Sequence, residues 1–132
     1  MLTGKLDRGG EMIRTVLVAN RGEIACRILR ACSEAGLTSV AVYADNDAGS
    51  MFTELATIAV PLEGDTIAET YLNQEQILEI AGAHNVDAIH PGFGFLSERA
   101  DFAQAVTDAG INWIGPSPQA IEMMGDKMTC LL

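Results

Sequence analysis

The stretch His90-Pro91-Gly92-Phe93-Gly94-Phe95-Leu96-Ser97-Glu98 combines residue types that could hold a ligand. Gly92 and Gly94 permit positive φ and let a ligand approach the backbone closely. Phe93 and Phe95 offer flat apolar surfaces, with Phe95 the better core candidate. Ser97 is expected to cap the helix that follows, with Glu98 in its first turn, where negative charge is favoured. His90, next to Pro91, reads as a hydrogen-bonded structural residue. A second special turn, Asn20-Arg21-Gly22-Glu23, follows an earlier apolar run. A third motif, Gly125-Asp126-Lys127, offers a turn and a movable cation suited to phosphate. By itself it is a weak signal, and a solvated surface lysine is the default reading.

These motifs need elements to position them, and strand and helix signals alternate along the chain. Residues 15–20 (TVLVAN), 38–43 (TSVAVY), 57–61 (TIAVP), 86–90 and 112–114 read as short strands. Helices are predicted over 23–35, 73–83, 99–109 and 118–124. Ile24, Ile28, Cys32 and Ala35 supply the apolar spacing of the first, and Ile77, Leu78 and Ala81 that of the second. Asn73 suits an N-cap, with Gln76 three residues on. Residues 45–50 read as a turn-rich loop. The order predicts an α/β, Rossmann-like fold: a mostly parallel sheet with helices on both faces. The two glycine-bearing turns then both leave carboxyl ends of strands, where open α/β sheets bind ligands.

The totals narrow the function. The chain has 132 residues, 48% of them hydrophobic, enough for one domain with a core. A net charge of −10 argues against nucleic-acid and anionic-membrane partners. No apolar run reaches the roughly 20 residues of a membrane span. Three scattered cysteines, Cys26, Cys32 and Cys130, have no metal or disulfide spacing and suit a reducing, cytoplasmic setting. Only two histidines are present, so a histidine metal site is not expected. Residues 1–11 read as a disordered leader, residues 12–124 as the domain, and residues 125–132 as the start of a link. The first turn has one glycine where a dinucleotide fold uses three, which disfavours NAD. Asn20 and Gly22 can, on composition, simply start the helix. Glu23 with Arg27, and Arg30 with Glu34, are spaced as i,i+4 surface pairs.

From Ile13 to Lys127 the chain resembles the N-terminal domain of biotin carboxylase, as found in acyl-CoA carboxylase α subunits and pyruvate carboxylase. The resemblance is carried by Val18 to Ala25 (VANRGEIA), Arg27 to Ala31 (RILRA) and Tyr71-Leu72-Asn73. It continues through His90 to Glu98, Trp113-Ile114-Gly115-Pro116 and Met124-Gly125-Asp126-Lys127. Wording around Val42 to Asp45 and Asp101 to Val106 is most similar to bacterial acyl-CoA carboxylase α subunits.

The resemblance implies ATP-dependent carboxylation of carrier-bound biotin by bicarbonate, with Mg²⁺. It implies that Lys127 contacts ATP phosphate and that Phe93, Gly94 and Glu98 border the biotin and bicarbonate site. It places Arg27, Arg30 and Glu34 near a dimer contact. The partners it implies are an ATP-grasp domain, a biotin carrier, a carboxyltransferase and a second copy of the chain. No catalytic residue and no metal ligand is expected within these residues, because the family draws them from the ATP-grasp domain. The chain by itself is therefore expected to be inactive; a non-catalytic dimerisation or assembly module is the alternative. Three local departures stand out. Phe93 replaces a common Tyr, Arg99 replaces a common Asn, and Leu55-Ala56-Thr57-Ile58-Ala59 replaces a run bearing two acids.

Overall fold

Five short apolar runs pair into one parallel sheet in the computed structural model, which describes residues 7–8, 11–115 and 121. Its strands are β3 (Thr15–Val18), β4 (Thr38–Tyr43), β5 (Ile58–Pro61), β6 (Ala88–His90) and β7 (Asn112–Trp113). Their spatial order is β5-β4-β3-β6-β7. The chain moves outward from β3 to β5, then returns to the other side of β3 for β6 and β7. The strand order therefore reverses between β3 and β6. Val18 lies opposite His90 in that pairing, and Ala19 extends the ladder by donating to the His90 carbonyl at 3.0 Å. Earlier, β1 (Asp7–Arg8) and β2 (Glu11–Met12) pair antiparallel.

Side chains of a strand alternate between faces, and both faces here are covered. On one face Val18 and Ala41 pack beneath helix α1 (Gly22–Glu34) and helix α2 (Met51–Leu55), through Ala25, Cys26, Leu29 and Phe52. On the other, Leu17, Val40, Val42 and Ile89 meet helix α3 (Gln74–Ala83) and helix α4 (Ala100–Asp108), through Ile77, Ala81, Phe102 and Val106. Each fully buried Leu, Ile or Phe contributes about 1.5–3 kcal/mol relative to leaving it exposed. Asn73 caps α3 as its position predicts, accepting from the Gln76 amide at 3.1 Å.

Several local expectations are corrected. Of the stripe expected on α1, Cys32 and Ala35 are buried and Ile28 packs partly against the core, but Ile24 is exposed, and Ala25, Cys26 and Leu29 complete the buried face. Cys26 and Cys32 are both buried, in different apolar clusters. Burial pushes the Cys32 thiol pKa up. Neither i,i+4 pair closes; Arg30 instead reaches Glu23 at 3.9 Å. Ser97 does not cap α4. It lies in a 3-10 turn, Phe95–Glu98, and the N-cap residue is Arg99, which makes no side-chain cap bond. Asp101 holds that end instead, accepting from the Phe102 amide at 2.9 Å and from Arg99 at 2.8 Å. Helix α2 was unexpected, since five residues carry too little periodicity; its one signal is the buried Phe52.

Candidate functional site

Because all five strands run parallel, the loops after β3, β4, β5 and β6 leave the same edge of the sheet. Side chains tie these four loops into a closed circuit. Arg21, after β3, grips Asp47, after β4, with two bonds: Nε to Oδ2 at 2.7 Å and Nη2 to Oδ1 at 2.6 Å. Tyr71, after β5, donates its hydroxyl to the same Asp47 Oδ2 at 2.5 Å and accepts from the Ala44 amide at 3.0 Å. The Tyr71 ring meets the Phe95 ring, after β6, with centroids 5.5 Å apart. Asn20 closes the circuit from β6 back to β3. Its side-chain Nδ2 donates to the Pro91 carbonyl at 2.8 Å and to the Phe93 carbonyl at 2.7 Å. Its Oδ1 accepts from the Arg21 amide at 2.8 Å.

The electrostatics follow from that geometry. The Arg21 guanidinium holds the Asp47 carboxyl below its ordinary pKa, with help from the Tyr71 hydroxyl. The same hydrogen bond raises Arg21, so the cation is fixed. Burial, then the bond to Asp47, pushes the Tyr71 phenol upward, so it stays a neutral donor. His90 is half-buried, which pushes its pKa below the usual value, and its Nδ1 accepts from the Gly92 amide at 3.1 Å. That matches the structural role read from its position.

The glycine-rich loop is shaped as its composition requires. Gly92 has φ 68° and Gly94 φ 72°, and a methyl group on Gly92 would lie 2.7 Å from Asn20 Nδ2. Phe93 projects from the loop with 73% of its surface exposed, while Leu96 is buried. Glu98 is also exposed, and Phe95 is partly buried against the core. The structure thus brings Gly22, Phe93 and Gly94 to one rim at the point where the strand order reverses. Beside them lies a cavity of about 210 Å³, lined among others by Arg21, Asp45, Asn46, Asp65, Thr66 and Tyr71. A larger groove of about 610 Å³ lies away from this rim, between Pro61, Glu63, Gln76, Glu79 and His84.

Other expected site residues stand apart. Arg27, Arg30 and Glu34 lie on the exposed side of α1, and Lys127 is outside the described residues. Among the described residues no three of His, Cys, Asp and Glu gather to hold a metal. None of their helices is long and apolar enough to cross a membrane. Sequence reasoning missed Asn20, Asp47 and Tyr71 as parts of one site. Their types carried a weak signal: Asn20 sits between a strand and a glycine, and Tyr71 belongs to a quoted motif.

Comparison with known proteins agrees with this architecture. Residues 12–121 match the family model described as biotin carboxylase, N-terminal domain. The chain is 58% identical over 117 residues to the biotin-dependent acyl-coenzyme A carboxylase alpha3 subunit of Mycobacterium leprae, covering 89% of this chain and 20% of that protein. It is 51% identical over 117 residues to human mitochondrial pyruvate carboxylase, covering 88% of this chain and 10% of that protein. Among solved structures, the biotin carboxylase domain of a thermophilic 2-oxoglutarate carboxylase bound to bicarbonate superposes with a TM-score of 0.84 at 45% identity, covering 88% of this chain and 26% of that one. A five-stranded parallel sheet whose rim loops carry the family's glycine-rich words, matched over residues 12–121, makes this chain a member of the biotin carboxylase N-terminal domain family.

Proposed function

We propose that this chain is the N-terminal lobe of an acyl-CoA carboxylase's biotin carboxylase, contributing one wall of the site where ATP drives carboxylation of carrier-borne biotin by bicarbonate. The observation that carries the reading is the Asn20-braced glycine loop at the reversal point between β3 and β6. Phe93, Gly94 and Glu98 border the biotin and bicarbonate side, and Lys127 meets ATP phosphate. Identity supports an acyl-CoA enzyme over a pyruvate one, at 58% against 51%.

Phosphoryl transfer depends on positioning and on neutralising charge with metal and cations. Mg²⁺ supplies that neutralisation when bound, through ligands contributed by an ATP-grasp domain. What these residues contribute is shape: a rigid loop, an apolar Phe93 face and a single lysine. The lobe by itself therefore turns nothing over, and works with an ATP-grasp partner, a biotin carrier and a carboxyltransferase. A homodimer contact through Arg27, Arg30 and Glu34 and a cytoplasmic setting belong to the same reading.

The test exchanges this chain for the matching lobe of the Mycobacterium leprae alpha3 subunit and of human pyruvate carboxylase. The first chimera should hydrolyse ATP in a bicarbonate-dependent, biotin-stimulated way, while the 132 residues by themselves read zero. A folded first chimera without turnover overturns the carboxylase reading. A pyruvate carboxylase chimera that works better than the first overturns the acyl-CoA reading. A non-catalytic assembly module is the second reading, favoured by the exposed charges of α1; it predicts self-association of the chain and two inactive chimeras.

A further inference from the structure

The first turn of the molecule holds a side chain that neither the glycine-rich motif nor the ATP-phosphate lysine accounts for. Asn20 is 1% exposed, yet it lies in a loop and not in the apolar core. Both hydrogens of its amide are spent on the glycine-rich loop, at Pro91 and Phe93, 71 and 73 residues further along the chain. Its oxygen is fixed by the Arg21 amide, so the amide cannot flip without losing all three bonds. Arg21 is in turn anchored on Asp47, at the end of the neighbouring strand. A methyl group on Gly92 would press on the Asn20 amide at 2.7 Å. The loop therefore folds around this one side chain, and the carbonyls on either side of Gly92 are both drawn to it.

We propose that Asn20 is the positioning residue that sets the conformation of the Gly92–Gly94 loop, and through it the placement of biotin rather than of ATP. This rests on the proposed function, which gives the loop to biotin and bicarbonate and Lys127 to ATP. A buried amide donating to two carbonyls cannot be replaced by a carboxylate, which would set a negative charge against both. A protonated Asp, however, restores one donor. Burial among acceptors favours that neutral form, so Asn20→Asp should recover part of the loop geometry on mild acidification. The charged or titratable groups nearby are Arg21 and His90, and both are present in the unsubstituted chain as a control.

The test has two arms. In the chain itself, ¹⁵N–¹H spectra of Asn20→Asp should show displaced Phe93 and Gly94 amide signals near neutral pH, with β3 and β6 signals unmoved. Those signals should return toward the unsubstituted positions at about pH 5, where a carboxyl raised by burial is protonated. In the alpha3 chimera, Asn20→Asp should raise the KM for free biotin about tenfold, the scale of one lost hydrogen bond. The KM for ATP should stay within twofold of its starting value, roughly. Should Asn20→Asp fail to fold, Asn20→Ser, which keeps one hydroxyl donor, should give the same pattern with smaller displacements. Unmoved loop signals, or an ATP KM that rises while the biotin KM stays, overturn the proposal. An unsubstituted chimera that folds but does not turn over counts against the proposed function instead, and the spectra still decide whether Asn20 sets the loop.

Discussion

Arg21 and Asp47 are 26 residues apart in sequence and meet as a two-pronged pair, with Nη2 and Oδ1 2.6 Å apart. The Asp47 side chain is 8% exposed and that of Arg21 43%, so the pair spans the boundary between interior and solvent. Asp47 accepts from Tyr71 as well, which makes it the junction of three rim loops.

Substituting Asp47→Asn should therefore loosen the rim. It leaves the Tyr71 hydroxyl and the Arg21 guanidinium short of an acceptor, a cost of about 1–3 kcal/mol. Urea denaturation should show a lower midpoint with an unchanged slope. The pH dependence has a definite sign. Asp47 has a folded pKa below its unfolded value, so its stabilisation is present above about pH 4 and is lost as pH falls through the folded pKa. Asp47→Asn should lose that part of the acid slope; an unchanged slope below pH 4, roughly, contradicts the pairing.

His90 acts in a separate window. Burial lowers its folded pKa, so the unfolded chain binds the extra proton first. Stability should consequently fall as pH drops below about 6.5, the ordinary histidine value. Melting temperatures taken across this range should decline in the unsubstituted chain, and more gently in His90→Gln.

The two loop glycines should fail for different reasons. Gly92→Ala adds a methyl group 2.7 Å from Asn20 Nδ2 and 3.0 Å from Ile24 Cγ2, at φ 68°. Gly94→Ala meets nothing within 4 Å, but its backbone at φ 72° and ψ −165° suits only glycine. Such backbone strain costs about 1–3 kcal/mol. In an Asn20→Ala background the cost of Gly92→Ala should shrink, while that of Gly94→Ala should not. A double-mutant cycle on denaturation free energies measures the difference, and equal coupling of both glycines to Asn20 refutes it.

Arg30→Glu tests the dimer expectation on α1. The Arg30–Glu23 pair is 3.9 Å long between exposed side chains, and such pairs contribute about 0–1 kcal/mol. The fold should survive, so size-exclusion chromatography reads association directly. A shift from dimer to monomer supports the contact; a dimer that persists removes α1 from it.

What the sequence determined by itself was periodic or local. Alternating apolar runs placed the five strands, Asn73 capped its helix as read, and the glycines of residues 90–98 marked a loop that has to turn sharply. Residues 38–43 matched β4, but the other strands were read one or two residues long, because Val86 looks like a strand residue while tertiary pairing decides where a ladder stops. The face of α1 was legible in Ile28, Cys32 and Ala35 but not in Ile24, because only the packed sheet shows that Ala25, Cys26 and Leu29 fill the centre of that face. The closure of the rim circuit was not legible. Asn20 and Arg21, Asp47, Tyr71 and Phe95 lie in four different loops, and single loop residues carry no periodic signal. Their meeting depends on strand order, which a parallel sheet sets through long-range pairing. Local sequence therefore determined that there would be loops of this chemistry, and only the tertiary structure decided which of them touch.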